Sequence, residues 1–206
     1  MNDPFYIYRP GLDLLGLSEG TDKKRGYNET LAYGAYTDGD RNLVAMTLDQ
    51  IEQLQTKMLQ HPKNYLNSSA LGRYQIVRTT LRKLKASLKL SGAMLFDKAL
   101  QDRLGVELMR GRGIDIWLAG DMSEDALINA LAKEWASLPT TSGFGHYDGQ
   151  RASVSVTRVR QVLGEIRRRR SEPAPKRTPV DGGSKPGSTN DSFLVRFLKA
   201  IFGVKA

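Results

Sequence analysis

The chain contains no cysteine. That one absence excludes disulfides, thiolate metal sites and cysteine nucleophiles. Histidine is almost missing as well: His61 and His146 alone give no basis for a His-rich metal site, and no cofactor is expected. No apolar run approaches the roughly 20 residues that a membrane-spanning helix needs. The first ten residues lack the basic stretch and apolar core of a secretory signal. A protein made in the cytoplasm without a signal peptide, and released by other means, is therefore expected. The body of the chain also lacks a charge excess. Residues 1–166 carry 21 Lys/Arg against 19 Asp/Glu, whereas residues 167–206 carry 10 against 3, so most of the net +9 belongs to the C-terminal end. A nucleic-acid-binding face, which the total charge alone would suggest, could draw only on the arginines at 167–170.

What is present fits one globular body with a real core, residues 1–167, followed by two shorter segments. Leu12, Leu15 and Glu19 share one face of a short helix over about 11–19. Residues 20–30 are polar and turn-rich. Across 30–46, aromatics and small residues flank the turn Asp38-Gly39-Asp40, which predicts a small hairpin or three-stranded sheet. Thr47 and Gln50 have capping-box spacing and open a helix carrying Leu48, Ile51, Leu54, Met58 and Leu59. Pro62 lies just beyond its end. A helix is expected to open at Arg73-Tyr74-Gln75-Ile76 and run to about Leu90, its cations (Arg78, Arg82, Lys83, Lys85, Lys89) forming a solvated face. Further helices are expected over about 95–109, from the Ser123 cap to Leu138, and over about 151–167. Trp135 reads as core, and residues 140–149 as a Gly-rich aromatic loop. Residues 168–191 are a basic Pro/Gly/Ser linker that cannot bury a core. In residues 192–206, Phe193, Leu194, Phe197, Ile201 and Phe202 oppose Arg196 and Lys199. As a helix this piece is about 22 Å long, short of a hydrocarbon core of about 30 Å. It reads as an amphipathic segment that lies on an anionic membrane surface or docks on the body or a partner.

The stretch Leu17-Ser18-Glu19-Gly20-Thr21 is where the chemistry is expected. Glu19 ends an apolar run (Leu12, Leu14, Leu15, Leu17), and a carboxyl group held against apolar side chains loses solvation of its charged form, so its pKa rises. Such a group can remain protonated near neutral pH and donate a proton. The bland alternative is an exposed Glu in the last helical turn before a glycine cap.

Four blocks fall in order along the chain: Ser18-Glu19-Gly20-Thr21, Tyr36-Thr37-Asp38, Gly72-Arg73-Tyr74-Gln75 and Trp135-Ala136-Ser137-Leu138-Pro139. In these blocks and their spacing, residues 11–160 resemble the phage lambda lysozyme family, endolysins that cut peptidoglycan as lytic transglycosylases. The resemblance implies an α+β lysozyme-like fold, with a mostly helical lobe, a small antiparallel sheet and a saccharide groove between them. It implies that Glu19 is the catalytic acid and that Tyr74, Gln75, Asp38 and Tyr147 (on the Gly-rich loop) bind substrate. It further implies peptidoglycan glycan strands as partner. A monomer is expected, and the charge partition argues against nucleic acid for the body. A holin-type lesion is the family's route to the periplasmic wall.

Most glycoside hydrolases use two carboxyl groups. A lytic transglycosylase can work with one: the acid protonates the bridging oxygen, then takes a proton from the C6 hydroxyl of the muramyl sugar, which closes a 1,6-anhydro ring. Asp22, Asp38 and Asp40 are the candidates for a second carboxylate. Asp38 and Asp40 sit in a turn that such residues stabilise by themselves. A hydrolytic muramidase using Glu19 and water, and a wall-binding protein without catalysis, stand as alternatives.

Overall fold

Helix α1 (Arg9–Ser18) is the element around which the body is packed. Its Gly11, Leu12, Leu14, Leu15 and Gly16 are all buried. Small residues let its neighbours approach closely: a Cβ on Gly11 would stand 3.0 Å from Met109 Sδ and 3.2 Å from Ile166 Cδ1. These contacts come from α4 (Lys98–Gly111) and α7 (Val156–Ser171), so α1 lies between them. The computed structural model describes residues 3–149 and 151–172. Among these, α2 (Leu48–Gln60), α3 (Arg78–Ser87), α5 (Ile114–Ala119) and α6 (Glu124–Glu134) complete the helices. The core draws on nearly every helix, with Leu12, Leu48, Ile51, Met58, Leu81, Leu104, Ile114 and Leu127 fully out of solvent.

The helix starts follow local chemistry. The Thr47 hydroxyl accepts from the Gln50 N–H at 3.3 Å, and the Gln50 side-chain carbonyl accepts from the Thr47 N–H at 2.8 Å, completing the expected capping box. Asp97 caps α4, Ser123 caps α6 and Ser155 caps α7, each accepting from a first-turn N–H. The cations of α3 are not all free in solvent. Arg82 pairs with Glu52 at 2.8 Å, and Lys85 reaches both Asp49 at 2.5 Å and Glu52 at 3.0 Å, tying α3 to α2.

Three expectations need correction. The described residues contain no β-strand, only isolated bridges, and the segment expected as a sheet holds 3-10 turns at Leu31–Gly34 and Leu43–Ala45. The cause is backbone conformation: Ala32, Tyr33, Gly34, Asp38 and Gly39 all have positive φ, which interrupts any extended run. The helix expected from Arg73 starts only at Arg78. Residues 71–76 instead make a tight turn, closed by paired backbone bonds between Leu71 and Ile76, with Gly72 at φ +76° and Gln75 at φ +49°. Finally, α5 was not expected. It has six residues between Gly113 and Gly120, both left-handed, and is too short to display a period.

Helix α7 continues to Ser171, so Arg168, Arg169 and Arg170 form its last turn rather than the start of a linker. Arg167 lies over the Trp117 ring at 4.3 Å, Arg168 pairs with Glu165 and Glu172, and Arg169 bonds Glu165 and the Tyr6 carbonyl. Three of the four arginines in this run thus have internal partners. The rest of the linker, from residue 173, and the amphipathic segment 192–206 lie outside the described residues. No helix among the described residues is long and apolar enough to cross a membrane.

Candidate active site

Glu19 is the C-cap of α1, its N–H bonded to the Leu15 carbonyl at 2.9 Å. Gly20 follows in the left-handed conformation that commonly ends a helix. The side chain does not face open water: Glu19 is 6% exposed. Burial pushes its pKa up from 4.5 to about 7, and a hydrogen bond from Ser137 partly opposes that rise. The group also sits at the carbonyl end of α1, where the helix dipole disfavours negative charge. Such a carboxyl is divided between acid and base forms near neutral pH, the condition that suits a group serving as both.

The Ser137 hydroxyl lies 2.6 Å from Glu19 Oε1 and 2.9 Å from Ser18 Oγ. Ser137 has no solvent exposure and Ser18 only 4%. Ser153 ties the two strands of chain together. Its hydroxyl reaches the Ser18 carbonyl at 2.7 Å and the Ser137 carbonyl at 3.2 Å, and its N–H donates to the Ser137 carbonyl at 2.9 Å. No bond to Glu19 Oε2 forms among the described residues.

The loop after Glu19 is held by the 71–76 turn. The Thr21 hydroxyl donates to the Arg73 carbonyl at 2.8 Å. The Arg73 guanidinium makes two bonds of 2.7 Å to Asp22, a third of 3.0 Å to Asp13, and a fourth of 3.1 Å to the Tyr74 hydroxyl. Tyr74 and Tyr27 both donate to Asp102 Oδ1, at 2.5 and 2.7 Å, and Arg9 pairs with Asp102 Oδ2 at 2.8 Å. Desolvation, with Asp102 alongside, holds the Tyr74 hydroxyl far above the usual tyrosine range. Trp135 is 4% exposed, as expected for core, and its indole N–H points to the Tyr74 carbonyl at 3.4 Å.

The expected site residues are therefore arranged unevenly. Tyr74 is 1% exposed, with its hydroxyl committed inward. Gln75 is partly exposed, and its amide donates to the Gly72 carbonyl at 2.8 Å. Tyr147 is exposed on its loop, with its hydroxyl bonded to the Lys133 carbonyl at 3.0 Å. Asp38 is exposed and its partner is Arg41, at 3.7 Å. Asp22 is taken by Arg73 and Asp40 by Arg25. Ser137, Ser18 and Ser153 were not foreseen. Ser18 and Ser137 stand inside recognised blocks, but an isolated serine carries no period or spacing that marks a role. Asp102, buried within α4, gave no signal either. Among the described residues no cluster of His, Asp and Glu could hold a metal ion.

A helical body that holds a buried carboxyl poised near neutrality at a helix end is suited to an enzyme working by proton transfer. The family model for endolysins matches residues 11–165, a stretch that contains Glu19, the 71–76 turn and all three serines. The chain belongs to the endolysin family, whose members are enzymes that degrade the bacterial cell wall. No curated protein and no solved structure matches it.

Proposed function

We propose that this endolysin is a lytic transglycosylase that cleaves the MurNAc–GlcNAc β-1,4 bond of peptidoglycan, with Glu19 acting first as acid and then as base. The observation that carries this reading is the isolation of Glu19: its carboxyl is buried, its pKa is near 7, and its side-chain partner is a serine. The three aspartates that could have supplied a second carboxylate are each engaged with an arginine. One group must then serve both proton transfers. Protonated Glu19 gives its proton to the bridging oxygen as the glycosidic bond breaks. The resulting carboxylate takes the proton of the muramyl C6 hydroxyl as that oxygen bonds the anomeric carbon, giving a 1,6-anhydro end and returning Glu19 to its acid form. Because the attacking hydroxyl belongs to the same sugar, its effective concentration is high without a positioned water.

In this reading the glycan lies in a lysozyme-like groove past the end of α1, bordered by 3-10 turns where such folds carry a sheet. We assign sugar contact to Gln75 and Tyr147, which are partly exposed and exposed. Tyr74 supports the groove from inside, through Asp102 and Arg73. Residues 173–206 carry six cations against two acids, and we assign them the task of holding the enzyme to an anionic membrane surface.

Replacing Glu19 by Gln should lower the rate on purified peptidoglycan by at least about 100-fold, the lower bound for losing a general acid. Near wild-type cleavage by Glu19→Gln would sink the assignment. Mass spectrometry of the products should find anhydromuramyl ends. Reducing ends alone would make the enzyme a hydrolytic muramidase instead.

A further inference from the structure

Three serines from three separate parts of the chain, Ser18, Ser137 and Ser153, converge beside Glu19. We infer that Ser137 is a positioning residue that reserves Glu19 Oε1 as an acceptor and so keeps the reactive proton on Oε2, the oxygen left for substrate. The inference rests on the catalytic role proposed for Glu19.

A serine hydroxyl has one proton to donate and two lone pairs to accept with. Ser137 can aim its proton at Glu19 Oε1, 2.6 Å away, or at Ser18 Oγ, 2.9 Å away. When Glu19 is charged, the carboxylate is the stronger acceptor and takes it, while Ser18 donates its own proton to the Leu15 carbonyl at 3.2 Å. When Glu19 is neutral with its proton on Oε2, Oε1 is still an acceptor, so the same arrangement serves both forms and no hydroxyl has to turn during the reaction. The competing arrangement puts the acidic proton on Oε1, facing Ser137. It requires Ser137 to turn its proton from the carboxyl to Ser18 Oγ, 2.9 Å away, a longer bond to a neutral acceptor. The proton thus leaves from Oε2 to the bridging oxygen and returns to Oε2 from the sugar hydroxyl. The serines exchange none.

Ser153 has a different part. Its bonds go to main-chain carbonyls of Ser18 and Ser137, so it fixes where the other two stand without touching the carboxyl. Among the charged groups on the surrounding elements, Asp13 and Asp22 pair with Arg73, and Glu134 pairs with Arg112. These pairs limit the effect of those groups on the Glu19 titration.

The test compares Ser137→Ala and Ser153→Ala with the wild-type full-length protein. The Glu19 carboxyl is titrated by carbon-detected NMR, and the pH dependence of peptidoglycan cleavage is followed in parallel. Ser137→Ala should move the Glu19 titration upward, because a bond that favours the charged form is gone. It should move the alkaline limb of kcat/KM in the same direction and lower kcat by about tenfold, as loss of orientation does. Ser153→Ala should lower the melting temperature and leave the titration near its wild-type position. The inference is overturned if Ser137→Ala leaves titration and kcat unchanged, or if Ser153→Ala shifts the titration equally, since the serines would then be structural only. The NMR titration needs no catalysis. A failure of the Glu19 assignment would appear in Glu19→Gln activity, and a failure of the Ser137 role in the titration.

Discussion

Taking a carboxyl such as Glu19 out of water costs the folded chain free energy only when the group is charged. Its pKa is near 7 in the folded protein against an ordinary value of 4.5. Between those values the native state binds the proton more tightly than the unfolded chain does. Stability therefore falls as pH rises from about 4.5 to 7, and the full cost is present above 7. At about 1.4 kcal/mol per pH unit, that cost is on the order of 3 kcal/mol. Glu19→Gln removes the ionisation. Its stability relative to wild type should thus increase with pH across that window, as urea denaturation at pH 5 and pH 8 would register. Equal differences at the two pH values would mean that Glu19 is not held away from solvent. That Glu19 is withdrawn from solvent was legible from the apolar run Leu12, Leu14 and Leu15. The serine that bonds its carboxyl was not, because Ser137 is 118 residues away in sequence.

The 71–76 turn shows the same division at the scale of the element. The sequence Gly72-Arg73-Tyr74-Gln75 was visible as a block, but its conformation was not. Continuous polar and apolar residues from Arg73 onward satisfy a helical period, and the positive φ at Gly72 and Gln75 overrides it. A Cβ at Gly72 would meet Gln101 Oε1 at 2.3 Å, and that oxygen holds the Arg73 N–H at 3.0 Å. Gly72→Ala should therefore destabilise the fold by more than about 1 kcal/mol, since both backbone conformation and space oppose it. Thermal unfolding measures this, and an unchanged midpoint would contradict the turn geometry. Arg73→Ala leaves Asp22 without its partner and removes the link to Asp13. A loss of about 2–3 kcal/mol is expected, below the range for fully buried pairs because both aspartates are partly exposed. Activity should fall with it, because the Thr21 loop beside Glu19 is anchored on the Arg73 segment.

For the whole molecule, charge is unevenly shared. The helical body is nearly balanced and pairs much of its surface charge internally, whereas residues 167–206 hold 10 Lys/Arg and 3 Asp/Glu. Removing residues 173–206 should leave cleavage of purified peptidoglycan unchanged and weaken binding to anionic vesicles, each surface-bound cation being worth about 1 kcal/mol. Equal vesicle binding by the shortened protein would refute the membrane role. Composition alone predicts a tail beyond the body, since Pro, Gly, Ser and charge cannot exclude water from a core; residues from 173 onward lie outside the described residues. The exact end of α7 was not. Arg168 and Arg169 continue the helix because Glu165, Glu172 and Tyr6 supply partners that a composition count does not see.

By itself the sequence determined the helical periods, the caps at Thr47 and Ser123, the glycine that stops α1 and the apolar run that ends at Glu19. These depend on neighbours within one or two turns of chain, so local residues suffice to specify them. Only the tertiary structure decided the rest: that residues 30–46 fold into 3-10 turns, that Tyr74 faces Asp102 inside the body, and that Ser18, Ser137 and Ser153 meet at Glu19. Those outcomes depend on hydrogen bonds between segments far apart in sequence. A single short side chain such as serine leaves no periodic trace of the partner it will find.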